Sequence, residues 1–110
     1  MRIGVDIVEI SRIKNFVENN ILDRVFSLEE IKYCTSKKLA KNKYQSFAAR
    51  FAAKEAVIKA LDDKTINLRD ILVENLPSGK PIVKIKNRDL KIEISLSHCD
   101  KYAVAMVMVE

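Results

Sequence analysis

The chain has no tryptophan, a single histidine, and only two residues each of glycine, proline and cysteine. So little glycine and proline excludes a collagen-like repeat or a linker-like segment. Cys34 and Cys99 lie far apart and match no metal-ligand spacing. They read as the reduced thiols of a cytosolic protein. Aromatic residues make up 6% of the chain, and no stacking motif of the RNA-recognition kind is present. There is no Walker-type loop and no dinucleotide fingerprint. No apolar run approaches the ~18 residues of a membrane span, and the longest, Ala103 to Val109, has the length of a strand. Met1 to Asp6 lacks the long apolar stretch and small-residue cleavage site of a signal peptide.

What remains is a 110-residue chain that fits one domain, residues 1–110. It is long enough for a core and small enough for oligomerisation to add useful burial. With 48% hydrophobic and 32% charged residues it is globular. The net charge of +5 suits nucleic acid, an anionic membrane surface, an acidic protein or a phosphorylated small molecule, and by itself does not choose among them.

Residues 2 to 9 alternate, with Ile3, Val5 and Ile7 on one face and Gly4, Asp6 and Val8 on the other, which predicts a strand. Ser11 reads as the N-cap of a helix through about Asn19, with Ile13, Phe16 and Val17 inward. Ser27-Leu28-Glu29-Glu30 matches a capping box for a short helix ending at Tyr33 or Cys34. A lysine-rich passage, Lys37 to Lys43, precedes a long helix from roughly Tyr44 to Leu61, closed by Asp62-Asp63-Lys64. Strands are predicted over Asp70–Asn75, Pro81–Lys86, Lys91–Ser97 and Tyr102–Val109, with turns at Leu76-Pro77-Ser78-Gly79 and Asn87-Arg88-Asp89. The last strand is nearly all apolar and reads as central, buried on both faces. The class is α+β: helices first, then an antiparallel sheet that the opening strand joins.

Asp6 stands out because aspartate is disfavoured in strands and costly beside Val5 and Ile7 unless it is paired or bound. It reads either as an edge-strand residue capping local backbone or as a ligand for a hard cation. In Arg50-Phe51-Ala52-Ala53-Lys54-Glu55-Ala56-Val57-Ile58-Lys59-Ala60-Leu61, few charges interrupt a small, apolar surface, which suggests side chains aimed into a site. Glu55 is the natural partner of Asp6, since Mg²⁺ is commonly held by one or two carboxylates plus phosphate oxygens and water. The alternative is a Glu55–Lys59 surface pair one turn apart. Arg50, Lys54, Lys59 and Lys80 are donors suited to phosphate, or else solvated charges among 20 Lys and Arg. Ser78-Gly79-Lys80-Pro81 reads as an anion-facing loop or as a hairpin turn. His98 lies at a strand end, where sites gather, or is structural.

Four segments together resemble the 4′-phosphopantetheinyl transferases, and within them the small holo-acyl-carrier-protein synthase group. They are Gly4-Val5-Asp6-Ile7-Val8-Glu9-Ile10-Ser11-Arg12-Ile13, the Arg50–Ala60 segment, Ser78-Gly79-Lys80-Pro81, and Ile94-Ser95-Leu96-Ser97-His98-Cys99-Asp100-Lys101-Tyr102-Ala103. Their order and spacing cover nearly the whole chain. The resemblance implies transfer of the phosphopantetheine arm of coenzyme A to a serine of apo-acyl carrier protein, with release of adenosine 3′,5′-bisphosphate, in fatty acid biosynthesis. It implies that Asp6 and Glu55 hold Mg²⁺, that Glu55 and Lys59 are catalytic, and that Arg50, Lys54, Gly79, Lys80, Pro81, Ser97 and His98 line the coenzyme A pocket. It also implies a cytoplasmic homotrimer with pockets at subunit boundaries, and no nucleic-acid or membrane partner. Family members often dock the carrier on a strongly basic first helix. Here Arg12, Lys14 and Arg24 are interleaved with Glu18, Asn19, Asn20 and Asp23, which shifts weight to Phe16, Val17 and Ile21. The competing readings are a basic nucleic-acid-binding module, motivated by the charge and the Lys37–Lys43 passage, and an inert trimeric scaffold.

Overall fold

The alternating opening segment forms strand β1 (Arg2–Glu9), and the chain turns directly into helix α1 (Ile10–Glu18) in a computed structural model that describes residues 1–110. The expected cap at Ser11 is replaced by an earlier start. Glu9 occupies the N-cap position without a side-chain hydrogen bond, and the Ile10 amide instead donates to the Lys101 carbonyl at 2.9 Å. A short helix α2 (Leu22–Val25), not foreseen, follows Asn20, whose φ of 54° reverses the chain. Helix α3 (Leu28–Thr35) opens on the capping box: the Glu30 amide donates to Ser27 Oγ at 3.2 Å, and the Ser27 amide donates to Glu30 Oε1 at 2.9 Å.

Helix α4 (Ala40–Leu61) begins four residues before the expected start, because Lys41 and Lys43 continue the helix, as their propensity permits. It ends at Asp62 in the left-handed conformation, φ 52°, which aspartate tolerates. From Phe47 to Leu61 it is buried nearly all round, so it is the central helix of the molecule rather than a surface one. Phe26, Phe47, Ala52, Ala53, Ala56 and Val57 are fully enclosed around it. Burial of a large apolar side chain such as Phe47 contributes roughly 2–3 kcal/mol.

After a 3₁₀ turn (Leu68–Asp70) come β2 (Ile71–Asn75), β3 (Pro81–Ile85), β4 (Ile92–His98) and β5 (Tyr102–Val109). All pairings are antiparallel, but the strands form two sheets, not one: β1-β5-β4 and the ribbon β2-β3. The separation arises at the tight reversal after β3, where Ile85 bridges Arg88 around Asn87 at φ 64°, turning the chain away before β4 begins. β5 is central, as expected, but only one of its faces is buried. Ala103, Ala105, Val107 and Val109 pack on α4, whereas Met106 is 57% exposed on the other side. In register with it, Val5 of β1 pairs with Met106 and Ile7 with Val104, so Ile3, Val5, Ile7 and Met106 leave an apolar sheet face open to solvent.

Candidate active site

The site is built by the close approach of β1 to α4. A methyl group at Gly4 would run into the Ala56 carbonyl and lie 2.9 Å from the Ala60 amide, so only glycine permits this contact. Asp6, two residues on, therefore points to the same side and meets the same helix at Lys59. Its carboxylate accepts from Lys59 Nζ at 3.0 Å, and Lys59 also donates to the Val5 carbonyl at 3.1 Å. The Asp6 side chain is mostly covered, at 16% exposure, while Lys59 is half exposed. Lys59 thus crosses to β1, which is not the Glu55–Lys59 helix pair weighed above.

Glu55 sits on α4 beside this pair. Burial and then the Asp6 charge push its carboxyl above the ordinary glutamate range, while the charges of Arg12 and Lys59 pull it down. A carboxylate whose ionisation is opposed by a second one beside it forms, with that neighbour, a natural donor set for a hard divalent cation. No third His, Cys, Asp or Glu side chain joins them, so a cation here would draw its remaining ligands from substrate oxygens and water. This donor chemistry fits Mg²⁺. Arg12, read from sequence as a docking charge, also packs over the Phe51 ring, 5.3 Å from its centroid.

Arg50 and His98 belong to a second group. Arg50 lies five residues from Glu55, which puts it about 7.5 Å along the helix and about 140° around it. There it is only 4% exposed. Its Nη1 donates to Ser46 Oγ at 2.9 Å, its Nη2 donates to Asn75 Oδ1, and its guanidinium stacks 4.3 Å from the centre of the Tyr33 ring. Lys37 covers the same tyrosine at 4.4 Å. Arg50 Nε is buried with no partner. Arg50 is the shared wall of two cavities. One, of about 650 Å³, lies between α3 and β2, with Ser27, Glu29, Tyr33, Val73 and Asn75 in its lining. The other, of about 330 Å³, is lined by Lys37, Gln45, Asn75 and His98 among others and carries no acidic side chain.

Lys54 lies apart from this group. Expected in the coenzyme A pocket, it is fully buried and its three N–H groups are committed. They reach Glu30 Oε1 at 2.7 Å, the Leu68 carbonyl at 2.9 Å and the Ile71 carbonyl. Burial lowers its pKa against the opposing pull of Glu30. It faces neither cavity, and its charge is answered by the carboxylate that caps α3. Ser97 is also set apart: it pairs with Val104 on the open sheet face, whereas His98 pairs with Ala103 on the other. Gly79 takes φ 92° at the tip of the β2–β3 hairpin, with nothing near its missing side chain. Lys80 is exposed 3.9 Å from Glu93, and Pro81 opens β3. Sequence reasoning missed Tyr33, Ser46 and Asn75. The only available signal for the last was an amide placed where a strand meets a turn.

A family model described as the 4′-phosphopantetheinyl transferase superfamily matches residues 2–107. A holo-[acyl-carrier-protein] synthase of Ruminiclostridium cellulolyticum is 41% identical over 124 residues, covering 99% of this chain and 91% of its own. One from Thermodesulfovibrio yellowstonii is 46% identical over 111 residues, covering 97% and 96%. Among solved structures, a holo-(acyl-carrier-protein) synthase from Bacillus anthracis in complex with CoA (3′,5′-ADP) superposes with a TM-score of 0.87. It is 33% identical and covers 98% of this chain and 94% of that one. The Helicobacter pylori synthase in complex with coenzyme A gives 0.84 at 31% identity, covering 98% and 99%.

Proposed function

The chain belongs to the 4′-phosphopantetheinyl transferase superfamily, and from that premise we propose that it is a holo-[acyl-carrier-protein] synthase. It transfers the 4′-phosphopantetheine group of coenzyme A to a serine of apo-acyl carrier protein and releases adenosine 3′,5′-bisphosphate. The observation that carries the reading is the convergence of Asp6, Glu55 and Lys59, a donor set suited to a charged diphosphate. The basic nucleic-acid module is not favoured, since the relatives above are all synthases.

Phosphoryl transfer asks a protein mainly for positioning and charge neutralisation. The serine oxygen attacks the phosphorus that carries the pantetheine arm, the bridging P–O bond breaks, and the leaving bisphosphate takes the bonding pair. Asp6 and Glu55 are the residues that would hold Mg²⁺, which when bound neutralises the diphosphate. Lys59, fixed by Asp6 and the Val5 carbonyl, brings a cation to the same place without needing to reorganise. Glu55, the carboxylate beside Asp6, is the group suited to take the serine proton, directly or through a water. Arg50 and His98 flank a cavity free of acidic side chains, a setting suited to the nucleotide phosphates, and Asn75 in its lining links it to Gly79 and Pro81 of the hairpin, on either side of Lys80. Lys54 acts from beneath, as a support for the helix that carries these groups.

The apolar face of Ile3, Val5, Ile7 and Met106 supports assembly into a homotrimer, measurable by sedimentation. Cytoplasmic location and a role in fatty acid biosynthesis belong to the same reading; no helix is long and apolar enough to cross a membrane. The test is to incubate the protein with apo-carrier, coenzyme A and Mg²⁺ and to weigh the carrier. A gain of one phosphopantetheine group is expected, and an unmodified carrier refutes the assignment and leaves the inert scaffold. Asp6→Ala and Glu55→Ala should each abolish transfer while the fold persists; a near-normal rate in either rejects the metal assignment.

A further inference from the structure

An arginine and a hairpin tip come together through one amide. Asn75 is the last residue of β2, and its side chain makes two hydrogen bonds of opposite sense. Its Oδ1 accepts from Arg50 Nη2, and its Nδ2 donates to the Gly79 carbonyl at 3.0 Å. The orientation of the amide is dictated by its partners, since a guanidinium can only donate and a carbonyl can only accept. An acid at this position could not serve the carbonyl, and an alcohol could not span both.

The Gly79 bond has a consequence one residue further on. A carbonyl and the next amide N–H share one rigid plane and point in opposite directions. Holding the Gly79 oxygen therefore aims the Lys80 N–H away from Asn75, where it donates to Ser78 Oγ at 3.4 Å, and fixes where the Lys80 side chain departs. The rest of the turn closes on itself, with the Leu76 amide donating to the Lys80 carbonyl at 2.8 Å and the Gly79 amide to the Leu76 carbonyl at 2.7 Å. Those bonds shape the tip but do not tie it to the helix. A two-stranded ribbon is marginal on its own and depends on outside anchors. β2 has three of them, on alternate residues: the Ile71 carbonyl accepts from Lys54, the Val73 amide donates to Glu30 Oε2 at 3.1 Å, and the Asn75 side chain takes Arg50. The first two fix the root of the hairpin to α4 and α3. The third is the one that registers its tip against the arginine of α4.

We propose that Asn75 is a positioning residue for coenzyme A, coupling the Arg50 guanidinium to the Gly79–Lys80 peptide so that both face the nucleotide end of the substrate in one fixed arrangement. The inference rests on the transferase reading above. Asn75 borders both cavities that Arg50 separates, so loss of its amide would free the arginine and the tip together.

The experiment is steady-state kinetics on the full chain with coenzyme A and apo-carrier varied in turn, alongside a thermal melt. Asn75→Ala should raise KM for coenzyme A about tenfold, the size of one lost hydrogen bond to a charged group. Its kcat and its KM for the carrier should stay within about twofold of the wild type. In combination with Arg50→Ala the effect should be less than multiplicative, since the two residues act as a unit. If Asn75→Ala folds poorly, Asn75→Leu keeps the volume and the strand position without either bond and should show the same KM. An unchanged KM for coenzyme A, full independence from Arg50, or loss of the folded transition in both variants would overturn the inference. Those results concern Asn75 alone; failure of the wild-type chain to modify the carrier at all would instead remove the transferase reading beneath it.

Discussion

Replacing Lys54 with methionine separates a structural lysine from a substrate-binding one. The ammonium answers the Glu30 carboxylate at 2.7 Å and satisfies the carbonyls of Leu68 and Ile71, and no part of it reaches solvent. In Lys54→Met the Glu30 carboxylate keeps its bonds from the Ser27 and Val73 amides but loses its counter-charge, and two carbonyls lose a donor. Removing one partner of a buried ion pair costs about 3–5 kcal/mol, a large part of the ~5–15 kcal/mol that holds a domain folded. At roughly 4–8 °C per kcal/mol, the lower end of that cost already lowers Tm by about 12 °C. Urea denaturation gives the free energy, and kinetics on the remaining folded enzyme give KM for coenzyme A, which should change little. Adding Glu30→Gln should recover part of the loss, because the stranded charge goes with it. A variant that keeps its Tm but raises KM tenfold would refute the reasoning and return Lys54 to the substrate pocket.

Gly4→Ala should destabilise by about 1–3 kcal/mol, the usual cost of overpacking, because the added methyl meets the Ala56 carbonyl, which cannot swing aside. A thermal melt checks this, and transfer should fall as well, since Asp6 rides on the same strand. Burial and the Asp6 charge raise the pKa of Glu55, so without a divalent cation the folded chain holds that proton more tightly than the unfolded chain. Stability then falls as pH rises from the ordinary glutamate value to the raised one. Cation-free Glu55→Gln should therefore melt with the wild type at low pH and above it near neutrality. Asp63 behaves oppositely: hydrogen bonds from Thr65 and then Arg88 hold it down to about 2. Its contribution is complete above the ordinary aspartate value of about 3.9 and is lost as pH falls through about 2. The Tm deficit of Asp63→Asn should shrink across that interval and vanish below it.

Local patterns were legible where the chain itself supplies the partner. The capping box at Ser27 and Glu30 needs only four consecutive residues, and the strand at Tyr102–Val109 follows from its own composition. Faces were harder to read. Alternation in β1 separates Ile3, Val5 and Ile7 from Gly4, Asp6 and Val8, but the face that packs on the helix is the one with the glycine, because backbone proximity outweighs side-chain bulk there. Asp6 stands out in sequence as a carboxylate in an apolar strand and Glu55 as its natural partner, and the structure brings them to one place. Lys54 looked equally promising in its motif, yet its partner is an acid 24 positions earlier, and no local spacing reports such a pairing. The division of the strands into two sheets, and the role of Asn75, depend likewise on contacts between distant segments.

Calorimetric titration of coenzyme A into the wild-type chain and into Asp6→Ala, each with and without Mg²⁺, tests most directly whether the two carboxylates grip the diphosphate through a shared cation. Binding to the wild type should tighten when Mg²⁺ is present, and the gain should vanish in Asp6→Ala. Equal affinity with and without the cation in the wild type, or an undiminished gain in the variant, would contradict the account.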